Sequence, residues 1–150
     1  MTFQEWSEAV PEEIKQDVLW QLELYRHSLF LSDLAWHDAN LIMEQRWYSL
    51  ADQLFRASSS ISANLEEGYS RPTATDRTRF YGIAFGSARE SRGWYFKARH
   101  LLGDDVMSHR IDLLSRIIRQ LIGLMKSEGR HIKENSAPYP HGTDPNHAPL

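Results

Sequence analysis

The chain of 150 residues is long enough for one domain with a hydrophobic core, and apolar residues make up 41% of it. It contains no cysteine, which excludes a disulfide framework, a thiolate nucleophile and a Cys-ligated zinc or iron–sulfur site. The first residues are acidic, and no segment approaches the roughly 18 consecutive apolar residues that a membrane span needs. We therefore expect a globular, cytoplasmic protein without a membrane partner.

The net charge of −3 conceals an uneven distribution along the chain. Residues 1–52 carry ten acidic and three basic side chains, whereas residues 53–129 carry eight acidic and twelve basic ones. Arginine supplies 13 of the 17 basic residues, and its guanidinium contacts carboxylates and phosphates in bidentate geometry. These arginines either pair with the acidic first third on solvated helix faces or contact a nucleic acid.

The first predicted helix runs from Pro11 to about Asp38. Proline suits the first helical position, and the two glutamates that follow it favour the positive end of the helix macrodipole. Residues 1–10 form an N-terminal extension, and residues 40–46 form the connection to the next helix. The apolar seam of this helix has spacings of four and three, at Ile14, Val18, Leu22, Tyr25, Leu29, Ser32 and Trp36.

The second predicted helix ends near Gly68, where we expect a left-handed cap residue. Most residues between its seam positions are Ser or Ala, which lower helix propensity but allow another helix to come close. Its seam consists of Leu50, Leu54, Ala57, Ile61, Asn64 and Gly68.

The third predicted helix begins near Thr75 as its N-cap and ends at Gly103. Gly82, Gly86 and Gly93 lie inside it, and each costs about 1 kcal/mol relative to alanine. We expect these glycines to mark a close crossing with the second helix. The seam of the third helix consists of Phe80, Ala84, Ser87, Ser91, Trp94, Ala98 and Leu101.

A fourth helix, capped by Asp104 or Asp105, has a wide apolar face that begins at Arg110. Four helices with short connections predict an all-α fold, an antiparallel up-down-up-down four-helix bundle over residues 11–133. The face of small residues on the second helix and the wide apolar face of the fourth helix, together with five tryptophans, indicate an oligomer. Residues 134–150 hold four of the six prolines without periodicity and predict a disordered tail.

Several polar side chains lie close to the predicted apolar seams of the second and third helices. A buried carboxylate must be hydrogen-bonded, paired or protonated, so we interpret them as an interhelical network that fixes helix register. A catalytic acid–base pair is the alternative interpretation, although no nucleophile or pocket accompanies it. The network residues are Ser60, Asn64, Glu67, Ser87 and Glu90.

The sequence predicts no metal, no cofactor and no catalytic residue. A di-iron bundle needs two Glu-x-x-His pairs, and this chain has one, at Glu128 and His131. Asp33 and His37 share a helix face but offer only two ligands.

The third helix also carries a line of basic side chains interleaved with Phe96. Such a line can follow a phosphate backbone while the aromatic ring stacks on a base. The alternative is an exposed face paired with acidic residues of a neighbouring helix. The candidate nucleic-acid-binding residues are Arg77, Arg79, Arg89, Arg92, Lys97 and Arg99.

Two separated motifs resemble a known family. The first is Gln53-Leu54-x-Arg56-Ala57-x-x-Ser60-Ile61-x-x-Asn64-Leu65-x-Glu67-Gly68-Tyr69, and the second is Phe80-x-x-x-Ala84-x-Gly86-Ser87-x-x-Glu90. Together they resemble the four-helix-bundle family first named for the intervening-sequence protein of ribosomal RNA genes, over about residues 17–128. The accessory proteins of diversity-generating retroelements look like relatives.

This resemblance implies an antiparallel four-helix bundle that assembles as a ring-like homopentamer without known enzyme activity. In the retroelement relatives it implies a basic surface that binds RNA and a reverse-transcriptase partner. We therefore expect a non-enzymatic, oligomeric binding or scaffold protein whose ligand is RNA or DNA. The alternatives are a protein–protein adaptor without a nucleic-acid ligand and, third, an enzyme.

Overall fold

The computed structural model describes residues 1–129, and all regular secondary structure within that range is helical. This confirms the all-α class for the described part of the chain. A 3-10 turn at Val18–Gln21 separates the second and third of six α-helices. These helices are α1 (Phe3–Ala9), α2 (Glu12–Lys15), α3 (Glu23–Glu44), α4 (Tyr48–Tyr69), α5 (Ala74–Leu102) and α6 (Asp104–Ser127).

The four long helices, α3 to α6, pack around one hydrophobic core. Each packs against the next along the chain, and α6 also packs against α3, an arrangement compatible with a bundle. Their buried faces meet in residues that are fully removed from solvent, among them Leu31, Ile42, Leu54, Ile61 and Leu114. The predicted tail, residues 134–150, and the end of the predicted bundle beyond residue 129 lie outside the described residues.

The expectation of one continuous helix from Pro11 to about Asp38 was wrong. Pro11 is the N-cap of α2, which ends after four residues, and α3 begins only at Glu23. Asp17 interrupts the helix because its Oδ1 accepts a hydrogen bond from the Leu19 amide at 2.8 Å and caps the 3-10 turn. The turn buries Leu19 and Trp20, whereas Val18, predicted on the seam, is 60% exposed.

Residues 1–10, predicted as an extension, contain the short helix α1. Thr2 and Glu5 form a capping box at its start, which satisfies two of the amide groups that a helix N-terminus leaves free. Trp6 is buried against Phe3, Trp20 and Phe30, and its indole Nε1 donates to Asp33 Oδ2 at 2.6 Å. The N-terminal segment therefore covers part of α3 instead of extending away from it.

Two helix boundaries in the middle of the chain differ slightly from those predicted. Thr73, not Thr75, is the N-cap of α5, because its hydroxyl accepts from the Asp76 amide at 3.2 Å. Gly103 ends α5 as predicted, with a φ of +87° that favours glycine. The same Gly103 is also the N-cap of α6, so Asp104 and Asp105 lie in the first turn of that helix.

The glycines of α4 and α5 have roles opposite to those predicted. Gly68 is not a left-handed cap but an inner residue of α4, where a Cβ would lie 2.8 Å from Tyr81 Cε1 and 2.9 Å from Phe80 Cβ. Gly68 is therefore a site where α4 and α5 approach too closely for a side chain. Gly82, Gly86 and Gly93 do not mark that crossing, since no heavy atom of the described chain lies within 4 Å of their ideal Cβ positions.

A buried ion pair joins α3 to α6. Asp38 is 1% exposed, and its carboxylate accepts from Arg110 Nε at 2.8 Å and from Arg110 Nη2 at 3.1 Å. The Tyr95 hydroxyl of α5 donates to the same carboxylate at 2.9 Å. Burial and the adjacent Asp38 raise the pKa of Tyr95, so the phenol stays protonated and keeps donating.

Replacing Asp38 with alanine leaves the Arg110 guanidinium buried without its counterion. We expect Asp38→Ala to lower the free energy of unfolding by about 3–5 kcal/mol, measured by urea denaturation. The control is Asp52→Ala, which breaks the exposed pair with Arg56 and costs less than about 1 kcal/mol. A double variant, Asp38→Leu with Arg110→Met, regains part of the loss because it leaves no unpaired charge. Equal effects for Asp38→Ala and Asp52→Ala would contradict this account.

A side chain at Gly68 must displace the aromatic rings of α5. We expect Gly68→Ala to destabilise the protein by about 1–3 kcal/mol through overpacking. Gly86→Ala is the matched control, because its methyl group meets open space and improves helix propensity by up to about 1 kcal/mol. Thermal unfolding of both variants measures the difference, and a Gly68→Ala protein as stable as Gly86→Ala would disprove the close approach.

Candidate nucleic-acid interface

The face of α5 that points away from the core carries basic side chains around a row of glycines. Arg79, Arg89 and Lys97 are exposed there, as are Gly82 and Gly86, while Gly93 is partly exposed. Phe96 belongs to the same face and is 52% exposed. We call this set of seven residues the α5 basic face. It exists because the buried positions of α5 are Thr78, Tyr81, Ala84, Ala88, Ser91, Tyr95 and Ala98, on the opposite side.

The three cations of the α5 basic face lie on aromatic rings. Lys97 Nζ is 4.3 Å from the centre of the Trp94 ring, and the guanidinium carbons of Arg79 and Arg89 lie 5.1 Å from Phe80 and 4.5 Å from Phe85. The negative face of each ring attracts the cation and limits its movement. The positive charge is therefore held close to the helix.

Arg92 and Arg99 lie at the edge of this face and are partly buried. Arg92 Nη1 donates to Ser115 Oγ of α6 at 3.5 Å. Arg99 is stacked at 3.9 Å on the Phe96 ring and donates from Nη1 to the Phe96 carbonyl at 2.7 Å. Both cations remain near the α5 basic face but are tied to protein groups.

Arg77, the first of the predicted nucleic-acid-binding residues, holds the ends of α5 and α6 together. Its Nε and Nη2 donate to the two carboxylate oxygens of Glu128, each at 3.0 Å, and its Nη1 donates to the carbonyls of Arg71 and Pro72. The hydrogen bond to Glu128 raises the pKa of Arg77. The guanidinium is thus engaged within the chain, and the structure does not bring it to the α5 basic face.

The charge balance of α5 favours an anionic ligand. The helix contains six Lys and Arg residues against two acidic ones, Asp76 and Glu90. Glu90 is exposed beside the face, and its Oε1 accepts from Trp94 Nε1 at 3.1 Å. The other acid, Asp76, lies in the first turn of the helix.

The structure brings together three of the five predicted network residues. Ser87 Oγ of α5 donates to Ser60 Oγ of α4 at 3.0 Å, and Asn64 Nδ2 donates to Ser60 Oγ at 2.9 Å. This chain of hydrogen bonds crosses from α4 to α5. Glu67 does not join it, because it is exposed and pairs with Arg71 at 3.1 Å, and Glu90 does not join it either.

The buried ion pair of Asp38 with Arg110 was not predicted from the sequence. A signal was present, because Arg110 occupies the first position of the apolar seam of the last helix. Asp38 likewise falls at helical spacing among buried residues, three after Ala35 and four before Ile42. Opposite charges inside two apolar seams indicate a pair, but their partnership depends on helix register.

Within residues 1–129, no group of three or more His, Asp or Glu side chains is placed to hold a metal ion. Asp33, one of the two metal ligands considered from the sequence, instead accepts a hydrogen bond from the Trp6 indole N–H. Glu128 is bound by Arg77, and its predicted partner His131 lies outside the described residues. No helix in the described range is long and apolar enough to cross a bilayer.

The chain matches the family described as "23S rRNA-intervening sequence protein" over residues 21–123, which is more than half of its length. It belongs to this family. The match confirms the resemblance drawn from the two motifs. It spans most of α3 to α6, so the α5 basic face and the Ser60–Ser87 contact lie inside the family region. Helices α1 and α2 precede it.

A solved structure from Bacteroides thetaiotaomicron has the same helical fold. It is described as a protein of unknown function from the S23 ribosomal protein family. The two chains superpose with a TM-score of 0.66 at 20% sequence identity, covering 69% of this chain and 98% of the other. At this identity the likeness concerns the fold alone. No curated protein matches this member of the 23S rRNA-intervening sequence protein family.

Proposed function

We propose that this protein is a non-enzymatic, oligomeric binding module that contacts RNA through the α5 basic face. The observation that carries the proposal is the placement of Arg79, Arg89 and Lys97 around exposed glycines, with the half-exposed Phe96 ring beside them. Cations that follow one helix face suit the regular spacing of backbone phosphates, and an exposed ring suits an unpaired base.

The glycines support this proposal on energetic grounds. Three glycines inside one helix cost stability, and no atom of the described chain lies in the space above Gly82, Gly86 and Gly93. A ligand that approaches the helix backbone closely benefits from that space. A sugar–phosphate chain lying over the glycines would have cations on both sides.

The uneven charge supports a local binding site rather than a generally basic protein. The chain as a whole carries −3, and the acidic residues are concentrated in residues 1–52. A local positive field attracts polyanions even when the net charge is negative, because salt screens charges beyond about 10 Å. The retroelement accessory proteins that the two motifs resemble are implied to bind RNA, which favours RNA over DNA as the ligand.

We also infer an antiparallel order of the four long helices. The connections between them contain three, four and one residues, too few to cross the length of a helix of 22 residues or more. A contact between α3 and α4 supports the same order, since Ser32 lies in the first half of α3 and meets Ser62 in the second half of α4, as antiparallel neighbours require.

An exposed aromatic patch supports self-association. Trp36 and Tyr48 are 63% and 62% exposed, and together with Met43 and Phe55 they line a cleft of about 150 Å³. Such apolar patches mark interaction surfaces, and tryptophan and tyrosine are enriched at them. We propose that this patch contacts a second copy of the chain in the cytoplasm, in the homopentamer that the resemblance implies.

The hydrogen bonds of Asn64, Glu67 and Glu90 support a structural role for these residues rather than a catalytic one. Asn64 is bonded to Ser60, Glu67 to Arg71 and Glu90 to Trp94, so each of the three has its own partner. The alternative function, a protein adaptor without RNA, is favoured by the same aromatic patch. In that case the patch binds a different protein, and the α5 basic face has no nucleic-acid ligand.

Neutralising the α5 basic face tests RNA binding directly. We expect the triple variant Arg79→Gln, Arg89→Gln, Lys97→Gln to bind single-stranded RNA of mixed sequence more weakly. The slope of log K against log salt should fall in magnitude by about 2, since each phosphate contact on a single strand contributes about 0.7. Fluorescence anisotropy between about 50 and 200 mM salt measures both quantities.

A charge-matched control separates the face from the overall charge. The triple variant Arg56→Gln, Arg119→Gln, Lys126→Gln removes three exposed cations on α4 and α6. It should leave the slope nearly unchanged. RNA binding that is absent in the original protein, or equally reduced in both triple variants, would remove the RNA proposal and favour the adaptor.

Charges placed in the aromatic patch test self-association. We expect light scattering to give the original protein a mass about five times that of the 17.5 kDa chain. Trp36→Glu with Tyr48→Glu should lower this mass, because two carboxylates would be desolvated in the contact. Phe96→Glu, an exposed aromatic on the α5 basic face, should leave it unchanged. A monomeric original protein would overturn the self-association proposal.

A further inference from the structure

An acidic cavity of about 280 Å³ lies where the segment before α3 meets the end of α4. Glu13 and Asp17 approach it from α2 and the 3-10 turn, and Glu66 and Tyr69 from α4. These four residues are exposed, so the cavity is open to solvent, whereas Tyr25 of α3 is buried in its wall. We call it the acidic cavity.

The three carboxylates of the acidic cavity are not paired with a basic side chain of residues 1–129. None of Glu13, Asp17 and Glu66 forms an ion pair with another described residue, although Asp17 also caps the 3-10 turn. Burial, with a smaller effect of Glu67, raises the pKa of Glu66, as expected for a carboxylate lacking a positive partner. An incoming cation would be attracted to this uncompensated charge.

Tyr25 adds an unpaired polar group to the wall of the cavity. The residue is 7% exposed and lines the cavity, and its hydroxyl has no hydrogen bond to any described residue. The phenol oxygen is not among the fully enclosed polar atoms that lack a partner, so it opens toward the cavity, where a ligand can reach it. Burial, followed by the charges of Glu66 and Asp17, raises the pKa of Tyr25 to about 12, so the hydroxyl stays protonated. A neutral phenol oxygen can accept a hydrogen bond from an N–H group.

We propose that the acidic cavity binds an organic cation, an alkylammonium or alkylguanidinium group. Glu66, Glu13 and Asp17 supply the opposite charge, the Tyr25 oxygen accepts an N–H, and Tyr25 and Tyr69 provide aromatic surface for the alkyl part. A metal ion fits less well, since the carboxylates do not form a group able to ligate one within the described residues. Rings and carboxylates together suit a cation with both charge and apolar surface.

The cavity depends on the part of the chain that precedes the family region. Glu13, Asp17 and Leu19 come before residue 21, where the family match begins, and they reach α4 because the chain folds back at the 3-10 turn. The site is therefore independent of the α5 basic face and of the proposed RNA contact. The cation is either a free amine or guanidine, or the side chain of Lys or Arg in another protein.

Isothermal titration calorimetry with the full chain tests the proposal with two probes. Agmatine represents a free alkylguanidine, and the capped peptide acetyl-Gly-Arg-Gly-amide represents an arginine side chain. We expect one binding site per chain for at least one probe. Tighter binding of agmatine assigns the site to a free ligand, and tighter binding of the peptide assigns it to a protein side chain. No binding of either probe overturns the proposal.

Three variants decide whether the binding is specific. Glu66→Gln and Tyr25→Phe should each raise the dissociation constant of the probe by about tenfold. A change of this size corresponds to the loss of about one charge-assisted hydrogen bond. Glu67→Gln is the matched control, because it removes the same charge one residue away but does not line the cavity. Equal weakening by Glu66→Gln and Glu67→Gln would indicate a diffuse counterion effect and overturn the site.

A second measurement guards against loss of fold. Circular dichroism should show unchanged helicity in all three variants, and carbon-13 NMR of the Glu66 carboxyl in the original protein reports the site directly. Its pKa should fall when the probe binds, because a cation stabilises the carboxylate. A Glu66 pKa that does not move at saturating probe would also overturn the proposal.

Discussion

The ion pair between Asp38 and Arg110 is the constraint on which the arrangement of the long helices depends. Two oxygens of one buried carboxylate are held by Arg110 of α6, and one of them also accepts from Tyr95 of α5, so a single group of α3 fixes the positions of three helices. Apolar packing tolerates small sliding motions, but a buried charge tolerates no register in which it loses its partner. The pair therefore selects one packing among those that the apolar seams allow.

This register decides what α5 presents to solvent. The buried side of α5 contains Ala84, Ala88, Ser91 and Ala98, small residues that bring its backbone near its neighbours, with Tyr81 and Tyr95 filling the space between them. Because the small residues of α5 face the core, the glycines and most of the cations of this helix face the solvent. At Gly68 the contact with α4 is close enough to exclude a side chain, which fixes α5 at its N-terminal end. The same packing that stabilises the bundle thus creates the proposed interface.

The acidic and basic parts of the chain serve separate surfaces. The N-terminal segment folds against α3 through Trp6 and Trp20 and brings its carboxylates to the end of α4, where they form the acidic cavity. The cations of the α5 basic face belong to a different helix, in which basic residues outnumber acidic ones although the net charge of the chain is negative. Arginines that pair internally, such as Arg77 and Arg110, do not contribute to the positive charge of that face.

The sequence by itself determined the helical class, the end of α5 at Gly103, the family and the helix that carries the cations. These features depend on local periodicity, breaker residues and motif spacing, which can be read without the tertiary structure. Only the tertiary structure decided which polar groups meet. Asn64 and Ser87 share Ser60, whereas Glu67 binds Arg71 and Glu90 binds Trp94. Each glutamate follows a network residue by three positions, which leaves it about 60° away around the helix. The burial of Asp38 and the tight contact at Gly68 likewise needed the packed helices. Each of these two depends on a partner distant in sequence, and local patterns carry no record of such distances.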